Sequence, residues 1–276
     1  IYCEPIISRD TLVICVSQSG ETIDTLEALK YAQRQEAKIL SIVNVRGSVI
    51  AKRSENVIYT DAGPEIAVAS TKAYTSQLVT FYLITAKMAY MRGCFNSEGL
   101  ASFMDELKKV PNAVEEVFSN KDKIHHIAGS LLTAEHAFMI GRGMDYPALL
   151  EASLKLKEIS YIHSEAFASG ELKHGTIALI TKNTPVIALM TQKYLASKQV
   201  SNIKEVQSRG AQVITICTKS LKSFATNDFI ELPDIDDEFT VIPAVSVMQL
   251  LAYYVSSDKG LDVDKPRNLA KVVTVE

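Results

Sequence analysis

The hydrophobic pattern at the start of the chain predicts one half of a parallel α/β domain. Thr11–Val16 is a short, apolar and largely β-branched run, which is typical of a buried parallel strand. A polar turn follows it, and then Ile23, Leu26 and Leu29 recur at helical spacing. Ala37–Val43 predicts the next strand. This order of strand, turn, helix and strand implies a parallel sheet with a right-handed crossover.

The same order of elements occurs again later in the chain. Pro185–Leu189 predicts a strand, Ile203–Gln207 lies in a predicted helix, and Ala211–Ile216 predicts the following strand. The interval between equivalent positions of the two copies is almost constant, so the pattern indicates an internal duplication. We therefore predict an α/β protein with two tandem parallel-sheet domains.

The second copy begins with one more element than the first. Ala137–Gly143 predicts a strand that ends in a glycine turn, and its counterpart in the first copy would fall before residue 1. We expect a first, N-terminally incomplete domain over 1–94 and a second domain together with the C-terminal tail over 135–276. Between them, 95–134 is polar with apolar residues at helical intervals, which predicts a helical linker.

The turn after the first predicted strand is the best candidate for an anion site. Ser17–Thr22 contains three hydroxyls and one glycine, at the carboxyl end of a strand and the start of a helix. Ligands of parallel sheets bind at this position, and free backbone N–H groups at a helix N-terminus favour a phosphate. A simple helix cap by one hydroxyl is the alternative. The equivalent turn of the second copy, Met190–Leu195, lacks the serines and the glycine.

Composition narrows the classes of partner. The formal net charge is −3, so nothing favours nucleic acid or an anionic membrane surface, and we expect no stretch that is apolar and long enough to span a bilayer. No histidine or cysteine has metal-ligand spacing with another, and neither a metal nor another cofactor is predicted. The four cysteines are scattered, which favours a reduced, cytoplasmic protein. They are Cys3, Cys15, Cys94 and Cys217.

A second polar cluster suggests acid–base chemistry. Glu151, Lys155 and Glu158 share one face of a predicted helix whose flanks are apolar. A solvated salt-bridge face is the alternative, and a proton shuttle is the interpretation that the apolar flanks favour. His174 lies in a polar loop between glycines, where it is either exposed or an acid–base group. From composition alone, Lys271 in the C-terminal tail is predicted to be an ordinary surface lysine.

Four long strings in order resemble the isomerase region of the glutamine:fructose-6-phosphate amidotransferases, also called glucosamine-6-phosphate synthases. The resemblance covers nearly the whole chain and implies two tandem sugar-isomerase (SIS) domains, each with a three-layer α/β/α, flavodoxin-like arrangement. The strings are Ser17–Thr22, Gly63–Ala73, Glu151–Gly175 and Arg267–Glu276.

The resemblance also implies roles for individual residues. Lys271 matches the lysine that forms a Schiff base with the open ketose, and Glu158, with Lys155 beside it, matches the base that moves a proton between C1 and C2. His174 matches the ring-opening histidine, which reaches in from the neighbouring subunit of a homodimer. The residues implied to bind phosphate are Ser17, Gln18, Ser19 and Thr22, and those implied to contact the sugar are Val68, Ser70 and Ala270.

In that family the substrate is fructose 6-phosphate, the product is glucosamine 6-phosphate, and an N-terminal glutaminase domain supplies ammonia. This chain lacks that domain, so we expect no use of glutamine and weak or lost isomerisation by the chain alone. One alternative is a stand-alone deglycase or deaminase with the same fold, which is not expected to carry the tail with Lys271. Another is a non-catalytic sugar-phosphate sensor, which would keep the turn and lose Glu158 or Lys271.

Overall fold

The computed structural model describes residues 5–271, and the predicted β-prone run at 272–276 lies outside them, as does Cys3. The chain divides into two compact units. The first consists of 1–96 together with 267–276, and the second of 97–266.

The first unit contains a three-stranded parallel sheet in the order β1-β2-β3. The register places Ser17 opposite Val43, so the carboxyl ends of β1 and β2 lie side by side. Apolar side chains of β1, α1, β2 and α2 form its core. The elements are β1 (Leu12–Ser17), α1 (Ile23–Arg34), β2 (Lys38–Val43), α2 (Val49–Arg53), β3 (Asn56–Tyr59) and α3 (Lys72–Met91).

The second unit contains a five-stranded parallel sheet in the order β5-β4-β6-β7-β8, which is the flavodoxin-like order. Its strands are β4 (His136–Gly141), β5 (His163–Ala168), β6 (Pro185–Met190), β7 (Gln212–Thr218) and β8 (Asp228–Leu232). Its helices are α4 (Ser97–Leu107), α5 (Val110–Ser119), α6 (Lys121–Ala128), α7 (Asp145–Lys155), α8 (Ala196–Gln207) and α9 (Val241–Asp258). A π-helical turn, Leu156–Ser160, directly continues α7.

Helix α9 is the central helix of the second unit, where α5, α6 and α7 all pack against it. The expectation that no apolar stretch is long enough to span a bilayer was wrong. The helical segment Asp237–Asp258 is long and apolar enough by length and composition, and it is the one such segment within the part of the chain that the structure describes. Because 78% of its apolar window is buried inside the protein, packing in the core accounts for its composition.

The compact units differ from the predicted domain boundaries in two places. The predicted linker over 95–134 consists of helices of which α5 and α6 pack on α9, so from Ser97 onward this segment groups with the second unit. The tail groups with the first unit from Arg267, because the Lys271 side chain hydrogen-bonds there. Both differences come from packing between distant segments, which local periodicity does not encode.

Candidate functional site

The predicted phosphate turn joins β1 to α1 and is internally hydrogen-bonded. The Ser17 and Thr22 hydroxyls lie 2.9 Å apart, and Ser17 Oγ also accepts from the Gly20 N–H at 3.0 Å. Ser19 Oγ accepts from the Glu21 N–H at 3.1 Å. Thr22 is the N-cap residue of α1 but makes no side-chain capping bond. The first N–H groups of α1 therefore lack a hydroxyl cap, and the hydroxyls fix the shape of the turn beside them.

Contacts with the next loop hold this turn in place. Gly20 has a φ of +68°, and a Cβ at this position would lie 2.0 Å from Ser48 Oγ, so only glycine fits. The Gly20 carbonyl accepts from the Ile50 N–H at 3.0 Å. The Glu21 carboxylate accepts from the Val49 N–H at 2.9 Å, which caps the start of α2. The turn is thus preorganised by its neighbours.

A cleft of about 510 Å³ opens at the carboxyl end of this sheet. Of the predicted phosphate ligands, Gln18 and Ser19 line it, whereas Ser17 is buried and pairs with Thr22. The Glu65 carboxylate also lines the cleft, but it accepts from the Thr71 and Ala73 N–H groups at 2.7 and 3.0 Å at the start of α3. The remaining lining residues are Asn44, Val45, Arg46, Asp61, Gly63, Pro64 and Lys271.

Lys271 lines the same cleft as Gln18 and Ser19. Its Nζ donates to the Ala67 carbonyl at 2.7 Å, although 204 residues separate the two in sequence. This contact places an amine in the cleft that also holds the phosphate turn. Val68 and Ser70, predicted to contact the sugar, are half-buried in the loop around Ala67 but do not line the cleft. Ala270, predicted to line the sugar site, is exposed and does not line the cleft either.

In the second unit, the structure brings together the three residues of the predicted acid–base face. Lys155 is 4% exposed, and its Nζ lies 2.6 Å from Glu158 Oε2 and 3.5 Å from Glu151 Oε1. The longer contact with Glu151 lacks hydrogen-bond geometry, which leaves Oε1 without a hydrogen-bond partner. Burial raises the pKa of Glu151 to about 6, against the opposing effect of Lys155. Two carboxylates therefore share one buried ammonium, which is not a solvated salt-bridge face.

The π-helical turn positions Glu158 at the end of α7. Single π turns inside helices are frequent at functional sites. Ser256 of α9, fully buried, donates to the Ile159 carbonyl at 2.6 Å, and Ser160 Oγ donates to the Leu156 carbonyl at 2.6 Å. Tyr161 then ends the helix with a φ of +60°. The Ile159 and Leu156 carbonyls of the turn thus accept side-chain hydrogen bonds.

His174 lies in a 3-10 turn, Leu172–His174, rather than in an irregular loop. Its backbone N–H donates to the Glu171 carbonyl at 3.0 Å, and the side chain is exposed. In the second unit, therefore, His174 presents an imidazole to solvent.

No group of three or more metal-ligating side chains occurs among residues 5–271. Within the same range Cys15, Cys94 and Cys217 are free thiols. Burial raises the pKa of Cys217 to about 11, so this thiol stays protonated at neutral pH.

Sequence reasoning missed most of the side chains that line the cleft, among them the charged Arg46 and Glu65. The carboxylate of Glu65 shortly before α3 is the kind of signal that a search for helix caps would find. For Arg46 the sequence holds no local signal, because its partners are on β3 and in the following loop.

The family model described as the SIS domain matches residues 4–87 and 130–255. The chain belongs to the SIS domain family. The two matched segments of this SIS protein correspond to the two copies in the sequence, and they confirm the α/β fold class with two parallel-sheet repeats.

Two curated relatives of this SIS chain carry the same name. Glutamine–fructose-6-phosphate aminotransferase (isomerizing) of Clostridium acetobutylicum is 48% identical over the whole chain, and the protein of the same name from Thermus thermophilus is 44% identical. The match covers 46% of each relative. The chain thus spans about half the length of the curated relatives it matches.

Two solved structures also resemble this chain. The C-terminal domain of glucosamine-fructose-6-phosphate aminotransferase from Francisella tularensis is 37% identical, with a TM-score of 0.93 over 96% of this chain and 75% of that one. Glucosamine-6-phosphate deaminase from Thermotoga maritima is 22% identical, with a TM-score of 0.74 over 98% of this chain and 77% of that one. At that identity the second likeness shows the fold alone. The resemblance to the amidotransferase isomerase region is confirmed.

Proposed function

We propose that this chain is the sugar-phosphate isomerase part of a glucosamine-6-phosphate synthase. Its substrate is fructose 6-phosphate, its nitrogen source is ammonia, and its product is glucosamine 6-phosphate. The observation that carries the proposal is the shared cleft of the first unit, in which Gln18 and Ser19 of the phosphate turn and the amine of Lys271 line one space. An amine in the phosphate cleft is what a Schiff-base enzyme needs and what a sugar-phosphate sensor does not.

In the proposed reaction Ser17, Gln18, Ser19 and Thr22 form the turn that binds the phosphate. The residues proposed to contact the sugar are Val68, Ser70 and Ala270, all in the first unit. These contacts hold the sugar so that its C2 carbonyl faces Lys271, which is the positional part of catalysis.

The chemical steps then follow from the side chains. His174 opens the sugar ring by proton transfer. Lys271 attacks C2 of the open ketose, and loss of water gives an iminium. Ammonia displaces Lys271 from C2 and leaves an imine. Glu158, with Lys155 beside it, removes a proton from C1 and returns one to C2, so C1 becomes an aldehyde and C2 carries the amine.

The partners of the chain belong to the same proposal. A glutaminase domain in a longer protein supplies the ammonia, and His174 acts across the interface of a homodimer. The exposed imidazole of His174 supports this, because it is available to a neighbouring chain. We also propose a cytoplasmic location, where the sugar phosphate is found.

The Schiff base is tested by trapping. The chain is incubated with fructose 6-phosphate, reduced with borohydride and examined by mass spectrometry. We expect a covalent sugar-phosphate adduct on Lys271, which Lys271→Arg abolishes. Lys265→Arg, a change at an exposed lysine of the same tail, is the matched control and keeps the adduct. An equal adduct on the Lys271→Arg variant contradicts the role of this lysine.

The proton transfer is tested by exchange in D₂O, read as deuterium at C1 and C2 of the sugar phosphate by NMR. Loss of a positioned general base costs about 10²- to 10⁴-fold in rate, so Glu158→Gln is expected to stop the exchange. Glu115→Gln, at an exposed glutamate of α5, is the control. If the unaltered chain neither exchanges nor binds fructose 6-phosphate, the proposed function is wrong.

A further inference from the structure

The cleft of the first unit contains a cation that no step of the proposed reaction uses. Of the described residues that line the cleft, Arg46 and Lys271 are the cationic ones, and Lys271 is the proposed nucleophile. Arg46 lies in the loop between β2 and α2. The side chain therefore belongs to the cleft by position but has no assigned role.

The backbone holds Arg46 next to the phosphate turn. The N–H groups of Asn44 and Val45 both donate to the Gln18 carbonyl, at 3.1 and 3.3 Å. Arg46 follows directly in the chain. The loop that carries the guanidinium is thus anchored on a residue of the turn itself.

The guanidinium is oriented by two weak contacts. Its Nη2 lies 2.9 Å from Asp61 Oδ1, and its Cζ lies 4.3 Å from the centre of the Tyr59 ring. The Arg46 and Asp61 side chains are 66% and 67% exposed. An ion pair with this exposure contributes little free energy in water, so a bound anion can displace Asp61. The planar guanidinium has five N–H donors and matches a phosphate well.

The charges around the turn favour such a contact. The turn residues Ser17, Gln18, Ser19 and Thr22 are all neutral, whereas Asp61 and Glu65 line the cleft as carboxylates. Because Lys271 is proposed to react with the sugar carbonyl, the Arg46 guanidinium is the other cation of the cleft that can turn towards a phosphate dianion. Resting on the proposed function, we propose that Arg46 is a charged ligand of the substrate's phosphate and that Asp61 competes with the phosphate for it.

The test is calorimetric titration of the chain with fructose 6-phosphate at two salt concentrations. Arg46→Ala removes a charge-assisted hydrogen bond to the phosphate. It is therefore expected to weaken binding about tenfold and to make the affinity depend less on salt concentration. Arg46→Lys should keep part of the affinity, because lysine keeps the positive charge but lacks the paired N–H donors of the planar guanidinium. Asp61→Asn should tighten binding by about two- to threefold, because it removes the competitor.

The matched control is Arg9→Ala. Arg9 makes a similarly exposed ion pair with Glu36 in the same unit and does not line the cleft. It should leave affinity and salt dependence unchanged. Inorganic phosphate and fructose serve as probes of the two halves of the substrate: Arg46→Ala should weaken the first and leave the second unaffected.

The outcomes separate this inference from the proposed function. If fructose 6-phosphate binds and Arg46→Ala binds it with unchanged affinity and salt slope, the role of Arg46 is wrong and the proposed function stands. A loss of fructose binding equal to the loss of phosphate binding also overturns the inference, because the contact is then with the sugar. If the unaltered chain binds no fructose 6-phosphate, both are wrong.

Discussion

The two copies of the strand–turn–helix pattern use the same position of the fold in opposite ways. After β1, the turn Ser17–Thr22 opens on a cleft lined by Gln18 and Ser19. After β6, the Thr191 N–H and hydroxyl both donate to the carboxylate of Asp145, at 3.0 and 2.5 Å. Thr191 and Asp145 are 1% and 3% exposed. One turn is thus open to an anion, and the other already contains one.

Burial disfavours the charged form of the Asp145 carboxyl group, which is the internal anion of the second turn. Burial raises the pKa of Asp145 to about 6, against the hydrogen bonds from Thr191 and Gln192, and the nearby Asp237 raises it further. The Thr191 hydroxyl also lies 2.8 Å from that of Thr240. A carboxylate therefore occupies in the second copy the place that a substrate phosphate is proposed to occupy in the first. The same backbone position thus occurs in both copies, and the Asp145 side chain fills it in the second.

Closing the first turn by substitution has the largest expected effect. Gly20→Ala places a Cβ 2.0 Å from Ser48 Oγ in a backbone with positive φ, and Ser48 is itself buried. Overpacking and backbone strain together are expected to cost about 3 kcal/mol of unfolding free energy, measured by urea denaturation. Binding of fructose 6-phosphate should be lost as well.

Gly93→Ala is the matched control for this change. Gly93 has a similar φ of +73°, but a Cβ there would have nothing within 4 Å. It should therefore cost only the backbone strain, about 1 kcal/mol, and leave binding unchanged. If the two variants lose equal stability, the close packing of Gly20 against Ser48 is not what fixes the turn.

Emptying the second turn has the next largest expected effect. Asp145→Ala removes the acceptor of the Thr191 N–H and hydroxyl and of the Gln192 N–H, so unpaired polar groups should cost about 2 kcal/mol of unfolding free energy. The double variant Asp145→Ala, Thr191→Val removes one of those donors as well and should recover part of the loss. Urea denaturation of both variants measures this. A double variant that is less stable than the single one contradicts the account of the closed turn.

Local patterns in the sequence were enough to predict both strand–turn–helix copies and the Lys155 cluster. In each case the signal is periodic: β-branched runs make the strands, and the spacing of Glu151, Lys155 and Glu158 places them on one helical face. The parallel sheet of the second unit follows from the same alternation of strands and helices. These features depend on residues that are close in sequence.

The features that the sequence did not predict depend on residues that are far apart. Asp145 and Thr191 are separated by 46 positions, and Lys271 and Ala67 by 204. Neither partner carries a local mark of the other, since an aspartate at the start of a helix normally signals only a favourable charge at its N-terminus. The composition of the Met190–Leu195 turn showed that the second copy had lost its serines, but not that Asp145 had filled the place.

The smallest expected effect concerns the pH dependence of the internal anion. The pKa of Asp145 is about 6 in the folded protein against 3.8 for the ordinary carboxyl group of an unfolded chain, so between these values the folded state binds more protons than the unfolded one. Stability from this group is therefore lost as the pH rises towards and through 6, by about 1 kcal/mol between pH 5 and pH 7. Asp145→Asn does not titrate, so relative to this variant the unaltered protein should lose that amount. Glu151 also has a raised pKa, but it is present in both proteins, so its contribution to the pH dependence cancels in the comparison.

Urea denaturation across this pH range measures the difference. Asp228→Asn, at an exposed aspartate of β8, is the control, and its stability should follow that of the unaltered protein. If the free energy of unfolding of the unaltered protein and of Asp145→Asn changes equally with pH, burial does not raise the pKa of the Asp145 carboxyl group. The two turns would then differ only in their shape.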